Sequence, residues 1–169
     1  GFIGAGNMGG AYINALNKEL YFYETNKERI KELEENTLGK GVETLKELVE
    51  KSDILVLAIK PQILDRVLDD LKELNIKDKV LVTLVVGVKI DYYQKKLGNI
   101  KIVRVMPNTP VQVKMGVAGA TFVGLNKEEK SEVLDMLESC GIVLDCDESK
   151  LDAITAISGS GPAYVFLLI

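Results

Sequence analysis

The chain has 169 residues, 47% of them hydrophobic, which suits one sizeable globular core or one domain plus the start of another. A formal net charge of −4 without any basic run argues against a nucleic-acid partner, and no apolar run approaches a membrane span. The sequence contains no histidine, which excludes Ser-His-Asp and Cys-His catalysis and His metal sites. An enzyme without histidine needs a cofactor for the difficult chemical step of its reaction. We expect no metal site.

Cysteine use and the start of the chain bear on its location. Cys140 and Cys146 are the only cysteines, and their spacing fits no zinc pattern and no disulfide framework, so we expect reduced thiols. The chain opens without a basic leader or an initiator Met. We therefore expect a cytoplasmic protein whose sequence here lacks a few residues at its start.

The first ten residues carry the strongest motif. Phe2 and Ile3 are typical of the end of a buried strand, and Gly4, Gly6 and Gly9 then form G-x-G-x-x-G before a helical stretch. In a strand–turn–helix, such glycines allow a tight turn and close approach of a pyrophosphate, which the helix N-terminus binds. Glu24 closes the next strand, 20 residues after Gly4, where an acid contacts the adenosine ribose. This context predicts dinucleotide binding.

Strands and helices alternate along the rest of the chain, which predicts an α/β fold with an open, mostly parallel sheet and helices on both faces. The predicted strands are 1–4, 20–24, 41–43, 54–59, 80–86, 100–106, 117–123 and 142–144, and the predicted helices are 7–18, 27–36, 44–51, 61–74, 90–97, 127–140 and a stretch from Ser149.

Ligands of such sheets bind outside the carboxyl ends of the strands. Five segments follow strand ends, and we expect them to line one crevice: the glycine turn, 24–26, 58–61, 85–88 and 106–109. The last residues, 165–169, are all apolar and would be left bare, so we expect that the chain continues into a longer protein.

Four stretches together resemble pyrroline-5-carboxylate reductase. They are Gly4-Ala5-Gly6-Asn7-Met8-Gly9, Ala58-Ile59-Lys60-Pro61-Gln62, Arg104 to Pro110 (RVMPNTP) and Ser158 to Phe166 (SGSGPAYVF). The last two are far more specific than the glycine motif, and all four occur in the family's order and spacing. The resemblance covers the whole chain.

The resemblance implies an activity and a domain organisation. Members of this family reduce the cyclic imine pyrroline-5-carboxylate to proline with NADPH or NADH, which is the last step of proline biosynthesis. They have a Rossmann-type domain, with a doubly wound sheet, followed by an all-α domain that dimerises. Residues 1–147 would be the first domain and 148–169 the truncated start of the second. The implied partners are a small-molecule substrate and a further copy of the chain, held through the missing helical domain.

The resemblance also implies a cofactor site. Ile3, Gly4, Ala5, Gly6, Asn7 and Met8 would hold the pyrophosphate. Thr25 and Asn26, beside Glu24, would lie at the ribose or its 2′-phosphate. Ala58, Ile59, Lys60 and Pro61, with Leu84, Val85 and Val86, would flank the nicotinamide, and Glu148 would approach it from the domain junction. Asn108 and Ser160 are candidate substrate contacts, and no catalytic residue is assigned.

Two residues depart from the family pattern. Leu45 stands where the family usually has an amide residue, and Val86 stands where it usually has Ala. Leu45 and Glu24 count against a strong NADPH preference, whereas Asn26, Lys27 and Arg29 would favour a 2′-phosphate. The choice between NADP and NAD therefore stays open.

Several candidates also have plain structural explanations. Lys60 more simply ends a strand than donates a proton. Asn108 serves equally well as a turn former between two prolines. Ser158 and Ser160 lack the histidine that a nucleophilic serine needs. Because an imine is protonated near neutral pH, orientation and exclusion of water suffice for its reduction.

Two other functions remain open. One is a β-hydroxy-acid dehydrogenase of similar fold, which would need a catalytic lysine or another acid on a second-domain helix. The other is a paralogue that binds the cofactor and performs no chemistry.

Overall fold

In a computed structural model, which describes residues 1–159 and 161–169, eight strands form one sheet in the order β3-β2-β1-β4-β5-β6-β7-β8. Neighbouring strands are parallel except for β6 and β7, which are antiparallel. The strands are β1 (Phe2–Ile3), β2 (Leu20–Tyr23), β3 (Gly39–Gly41), β4 (Ile54–Leu57), β5 (Val80–Thr83), β6 (Lys101–Met106), β7 (Gly116–Val123) and β8 (Gly141–Asp145). The predicted class, a doubly wound and mostly parallel α/β sheet, is confirmed.

Helices cover both faces of the sheet. They are α1 (Asn7–Ala15), α2 (Lys27–Asn36), α3 (Leu45–Glu50), α4 (Leu64–Glu73), α5 (Ile90–Leu97), α6 (Lys127–Glu138), α7 (Glu148–Ile154) and α8 (Gly161–Leu168), with short 3-10 turns at Pro61–Ile63 and Thr109–Val113 and a π turn at Thr155–Gly159. Buried side chains of α1, α2 and α6 share one hydrophobic cluster, and those of α3, α4 and α5 share another. The two clusters lie on opposite faces of the strands.

The strand order places a topological switch beside β1. From β1 the chain runs outward to β2 and β3, then returns to β4 on the other side and continues to β8. Phe2 therefore pairs with Phe22 of β2 on one side and with Val56 of β4 on the other. In open α/β sheets, ligands bind at such a point, outside the carboxyl ends of the strands.

Several element boundaries differ from the predicted ones for local reasons. Strand β5 ends at Thr83 instead of continuing to 86, because the Thr83 hydroxyl accepts a hydrogen bond from the Val85 amide at 3.2 Å and turns the chain. Strand β3 lies at 39–41, not 41–43, where Gly41 makes room for Ile30 of α2. The predicted loop 107–116 contains a 3-10 turn.

The last helices differ in how much of them the protein buries. In α7, Leu151 is fully buried and packs over Gly119 of β7. In contrast, the side chains of Tyr164 through Ile169 in and after α8 are all exposed. Among the described residues, the stretch Glu148–Leu168, in which residue 160 is not described, is the one that is long and apolar enough to cross a membrane by length and composition. This differs from the expectation that no apolar run approaches a membrane span. The predicted boundary after Asp147 stays a prediction.

Candidate dinucleotide-binding site

The turn after β1 depends on two glycines that no other residue could replace without strain. Gly4 has a φ of +89°, and a Cβ there would lie 2.7 Å from the carbonyl oxygen of Ala58. A Cβ on Gly9 would overlap the carbonyl oxygen of Gly4. Gly4 thus makes the turn possible and Gly9 brings α1 against it, as the motif predicts.

Gly6 has a different role, which is to leave space. Its φ of −64° is open to any residue, and a Cβ there would meet no atom within 4 Å. Gly6 is the N-cap of α1, and the first amides of a helix have no partner within it. The open space above Gly6 therefore faces free N–H groups at the positive end of the helix, which is how a phosphate cradle is built.

Glu24 lies at the carboxyl end of β2 and bonds to the glycine turn. Its Oε2 accepts a hydrogen bond from the Ala5 amide at 2.9 Å. Its Oε1 accepts from the amides of Thr25 and Asn26 at 2.7 and 3.0 Å and from the Thr25 hydroxyl at 3.4 Å. Partial burial raises the pKa of this carboxyl, but the hydrogen bonds outweigh burial and leave the pKa below its usual value. Glu24 is therefore ionised at neutral pH.

The start of α2 completes this corner. The Asn26 side-chain oxygen caps the helix by accepting from the amides of Glu28 and Arg29. Arg29 donates from Nε to the Ala5 carbonyl oxygen at 2.8 Å and pairs with Glu32. Arg29 therefore supports the glycine turn, and the prediction that it favours a 2′-phosphate has no support from this placement.

A cavity of about 420 Å³ lies at the switch between β1 and β4. Eight residues of the predicted site line it: Ile3, Gly4, Gly6, Glu24, Thr25, Ala58, Ile59 and Lys60. The cavity joins three of the five strand-end segments that we expected to share one crevice. Residues 87 and 88 of the fourth segment line a neighbouring cavity with Pro61, and the fifth segment lines neither.

Other residues of the predicted site do not line this cavity. The side chains of Leu84 and Val85 are buried in the two opposite hydrophobic clusters, so of the three residues 84–86 only Val86 presents an exposed side chain. Asn7 lines a separate small pocket with Arg29. Leu45, expected near the adenosine, is the first residue of α3 and packs on the core of that face.

Glu148, expected near the nicotinamide, is engaged with the protein. Its Oε1 accepts from the Ile90 amide at 2.8 Å and from the buried guanidinium of Arg104 at 2.9 Å. Arg104 also reaches Asp152 of α7 at 3.3 Å. These bonds connect α7 to β6 and to the start of α5, directly after the segment 84–88.

Two candidate substrate contacts were named from the sequence. The Asn108 side-chain oxygen accepts from the Val117 amide at 2.9 Å, which fixes the loop between β6 and β7. Ser160 lies outside the described residues. Substrate contact by either residue stays a prediction.

Sequence reasoning missed four residues that shape this region. Tyr23, Ile63 and Val67 line the cavity and give it an apolar wall. Arg104 was quoted only as part of a motif, although its side chain is 3% exposed and paired with two carboxylates. A charged residue inside an otherwise apolar strand was the available signal, since an arginine is rarely buried without a partner.

This sheet order, with a glycine turn opening a helix at the switch point, defines a Rossmann-type dinucleotide-binding domain. Comparison with known proteins agrees. A family model described as "NADP oxidoreductase coenzyme F420-dependent" matches residues 1–87. The pyrroline-5-carboxylate reductase of Aquifex aeolicus is 38% identical over 175 residues, covering 100% of this chain and 65% of that protein.

Two of the solved structures that are similar over 99% of this chain are pyrroline carboxylate reductases. Pyrroline carboxylate reductase of Plasmodium falciparum, solved with NADP bound, has a TM-score of 0.85 and 34% identity, and the match covers 64% of that protein. A pyrroline-5-carboxylate reductase of Coxiella burnetii has a TM-score of 0.92 and 29% identity, with 66% covered. The chain belongs to the NADP oxidoreductase family of the matching model, and its resemblance to pyrroline-5-carboxylate reductase is confirmed. It spans slightly less than two thirds of the length of these relatives.

Proposed function

We propose that this protein reduces 1-pyrroline-5-carboxylate to L-proline with NADPH, and with NADH as an alternative donor. The observation that supports cofactor binding is the open space above Gly6, at the N-terminus of α1. It lies beside the cavity between β1 and β4. The substrate is proposed from relatives that are named pyrroline-5-carboxylate reductase and that match the full length of this chain. Bound NADPH supplies a hydride for the C=N carbon.

The residues of the chain hold and orient the reactants. The amides of Asn7 and Met8 would bind the pyrophosphate, and Thr25 and Asn26 would lie at the adenosine ribose. Tyr23, Ile63 and Val67 offer an apolar wall for the adenine ring. The backbone of 58–61 and the exposed Val86 would flank the nicotinamide. We assign no proton donor, because a protonated imine needs only orientation and a site from which water is excluded.

We further propose that residues 1–147 form the cofactor domain and that 148–169 lead into a helical region through which copies of the chain associate. The exposed apolar side chains of α8 support this, since a contiguous apolar surface favours association. The location that we propose is the cytoplasm, and two free cysteines, Cys140 and Cys146, are compatible with it.

Substrate-dependent oxidation of NADPH by the intact protein tests the proposed reaction. We expect turnover of pyrroline-5-carboxylate with formation of proline, and none of 3-hydroxy acids with NADP in the opposite direction. Turnover of a 3-hydroxy acid alone would favour the dehydrogenase alternative. Cofactor binding without turnover of either substrate would favour a non-catalytic paralogue.

A further inference from the structure

The Glu24 carboxylate uses most of its acceptor capacity within the protein. Three donors converge on Oε1, all from residues 25 and 26, and the Ala5 amide occupies Oε2. A carboxylate oxygen has two lone pairs, so little more than one acceptor position on Oε2 is left for a ribose hydroxyl. An acid that selects NADH normally needs open oxygens for the ribose hydroxyls.

The turn is held from both sides at Ala5. Its amide is bonded to Glu24 and its carbonyl oxygen to Nε of Arg29, and the residue is fully buried. The Ala5 amide belongs to the Gly4–Ala5 peptide, and the Ala5 carbonyl oxygen belongs to the Ala5–Gly6 peptide. Gly10 leaves the space for the guanidinium, because a Cβ there would overlap Arg29 Nη2. Glu24 and Arg29 thus form a clamp on the turn, which we call the Ala5 clamp.

We propose, on the basis of the proposed dinucleotide function, that Glu24 is a positioning residue that acts through the glycine turn on NADPH and NADH alike. Its hydrogen bond to the Ala5 amide holds the Gly4–Ala5 peptide, and Arg29 holds the following Ala5–Gly6 peptide through the Ala5 carbonyl oxygen. Together they fix the direction of the amides that face the pyrophosphate. Both cofactors carry the same pyrophosphate. Selection between them then falls to other groups at the start of α2, where Thr25, Asn26 and Lys27 are exposed.

The test is the affinity of the intact protein for NADPH and NADH after Glu24→Gln, measured by titration calorimetry. A glutamine can keep its oxygen toward residues 25 and 26, but then its NH2 group meets the Ala5 amide and that hydrogen bond is lost. We expect Kd for both cofactors to rise by a similar factor, about tenfold, so that their ratio stays nearly constant. Arg29→Met removes the other half of the Ala5 clamp and should give the same pattern.

Glu28→Gln is the matched control. Glu28 is exposed in the first turn of α2, so this substitution removes the same charge without affecting the glycine turn. It should leave both affinities nearly unchanged. If Glu24→Gln weakens NADH binding and leaves or improves NADPH binding, Glu24 reads the ribose and the inference is overturned.

Hydrogen exchange at the Ala5 amide separates this inference from the proposed function. It should be slow in the unsubstituted protein and fast in Glu24→Gln, with or without cofactor. Unchanged exchange would overturn the Ala5 clamp. If the unsubstituted protein binds neither cofactor, the proposed function fails, whereas exchange at Ala5 still decides whether the clamp exists.

Discussion

Two glycines of one turn are under different physical constraints. Gly4 is required by backbone conformation and by the nearby carbonyl of Ala58. Gly6 adopts an ordinary conformation and borders empty space. We therefore expect stability to depend on Gly4 and, under the proposed function, cofactor binding to depend on Gly6.

Gly6→Ala should separate binding from folding. The added methyl meets no protein atom, so the free energy of unfolding should change by less than about 0.5 kcal/mol. The same methyl occupies the space that we assign to the pyrophosphate, so affinity for NADPH should fall about tenfold or more. Urea unfolding and a cofactor titration on the same protein check both.

Gly4→Ala is the matched comparison. A residue with Cβ at a φ of +89°, pressed on the Ala58 carbonyl, should cost about 2 kcal/mol of stability or more. A Gly6→Ala protein that unfolds as readily as Gly4→Ala would show that Gly6 serves packing, which would contradict its role in binding.

The lowered pKa of Glu24 predicts how stability depends on pH. A carboxyl whose pKa is lower in the folded than in the unfolded state stabilises the fold above its unfolded pKa, and that contribution is lost as pH falls through the folded pKa. The difference in free energy of unfolding between the unsubstituted protein and Glu24→Gln should be constant above about pH 5.5 and shrink at lower pH. Urea unfolding over a pH series measures it, and a difference that grows on acidification would contradict the assigned hydrogen bonds.

At the scale of elements, one buried arginine connects three parts of the chain. Arg104 of β6 bonds to Glu148 and Asp152 of α7, and the Glu148 oxygen also accepts from the Ile90 amide at the start of α5. The segment 84–88 ends directly before this junction. The start of α7 is therefore bonded to the chain at Ile90, two residues after the segment 84–88.

A double-mutant cycle tests this connection. Glu148→Leu leaves a buried guanidinium with only the mostly exposed Asp152, and it should cost about 3 kcal/mol. Arg104→Leu should cost less, because Glu148 keeps the Ile90 amide and partial contact with water. The double variant should cost at least about 1 kcal/mol less than the sum of the two, as measured by urea unfolding. Additive costs would mean that the pair is not coupled.

Helix α6 allows a prediction that should not affect the site. Asn126 and Glu129 form a capping box, each side chain accepting from the other residue's amide at 2.9 Å. Asn126→Ala should lower the free energy of unfolding by about 1 kcal/mol and leave cofactor affinity unchanged. A clear loss of NADPH affinity would show that α6 is coupled to the site.

Local signals allowed the elements to be predicted, and long-range contacts explain most of the differences. The glycine turn and strand β4, predicted at 54–59, are each encoded within a few residues. At the end of β5 the Val85 amide donates to the Thr83 hydroxyl, a contact that periodicity does not reveal. The partners of Arg104 lie 44 and 48 residues away, and the bond between Ala5 and Glu24 joins two elements, so no pattern within a segment indicates them.

At the scale of the whole molecule, the proposed site lies at the carboxyl ends of the central strands β1 and β4. The apolar helix α8 lies at the end of the chain. The relatives of this chain are longer, and the side chains after residue 163 are exposed here. Under the proposed domain organisation, these side chains form the surface at which copies of the chain would associate.

The crystal structure of the intact protein with NADPH tests the central claim most directly. The pyrophosphate should lie within hydrogen-bond distance of the Asn7 and Met8 amides, above Gly6, with the nicotinamide beside 58–61 and Val86. The Ala5 amide should remain bonded to Glu24. A cofactor bound elsewhere, or a pyrophosphate that does not contact the N-terminus of α1, would contradict the account.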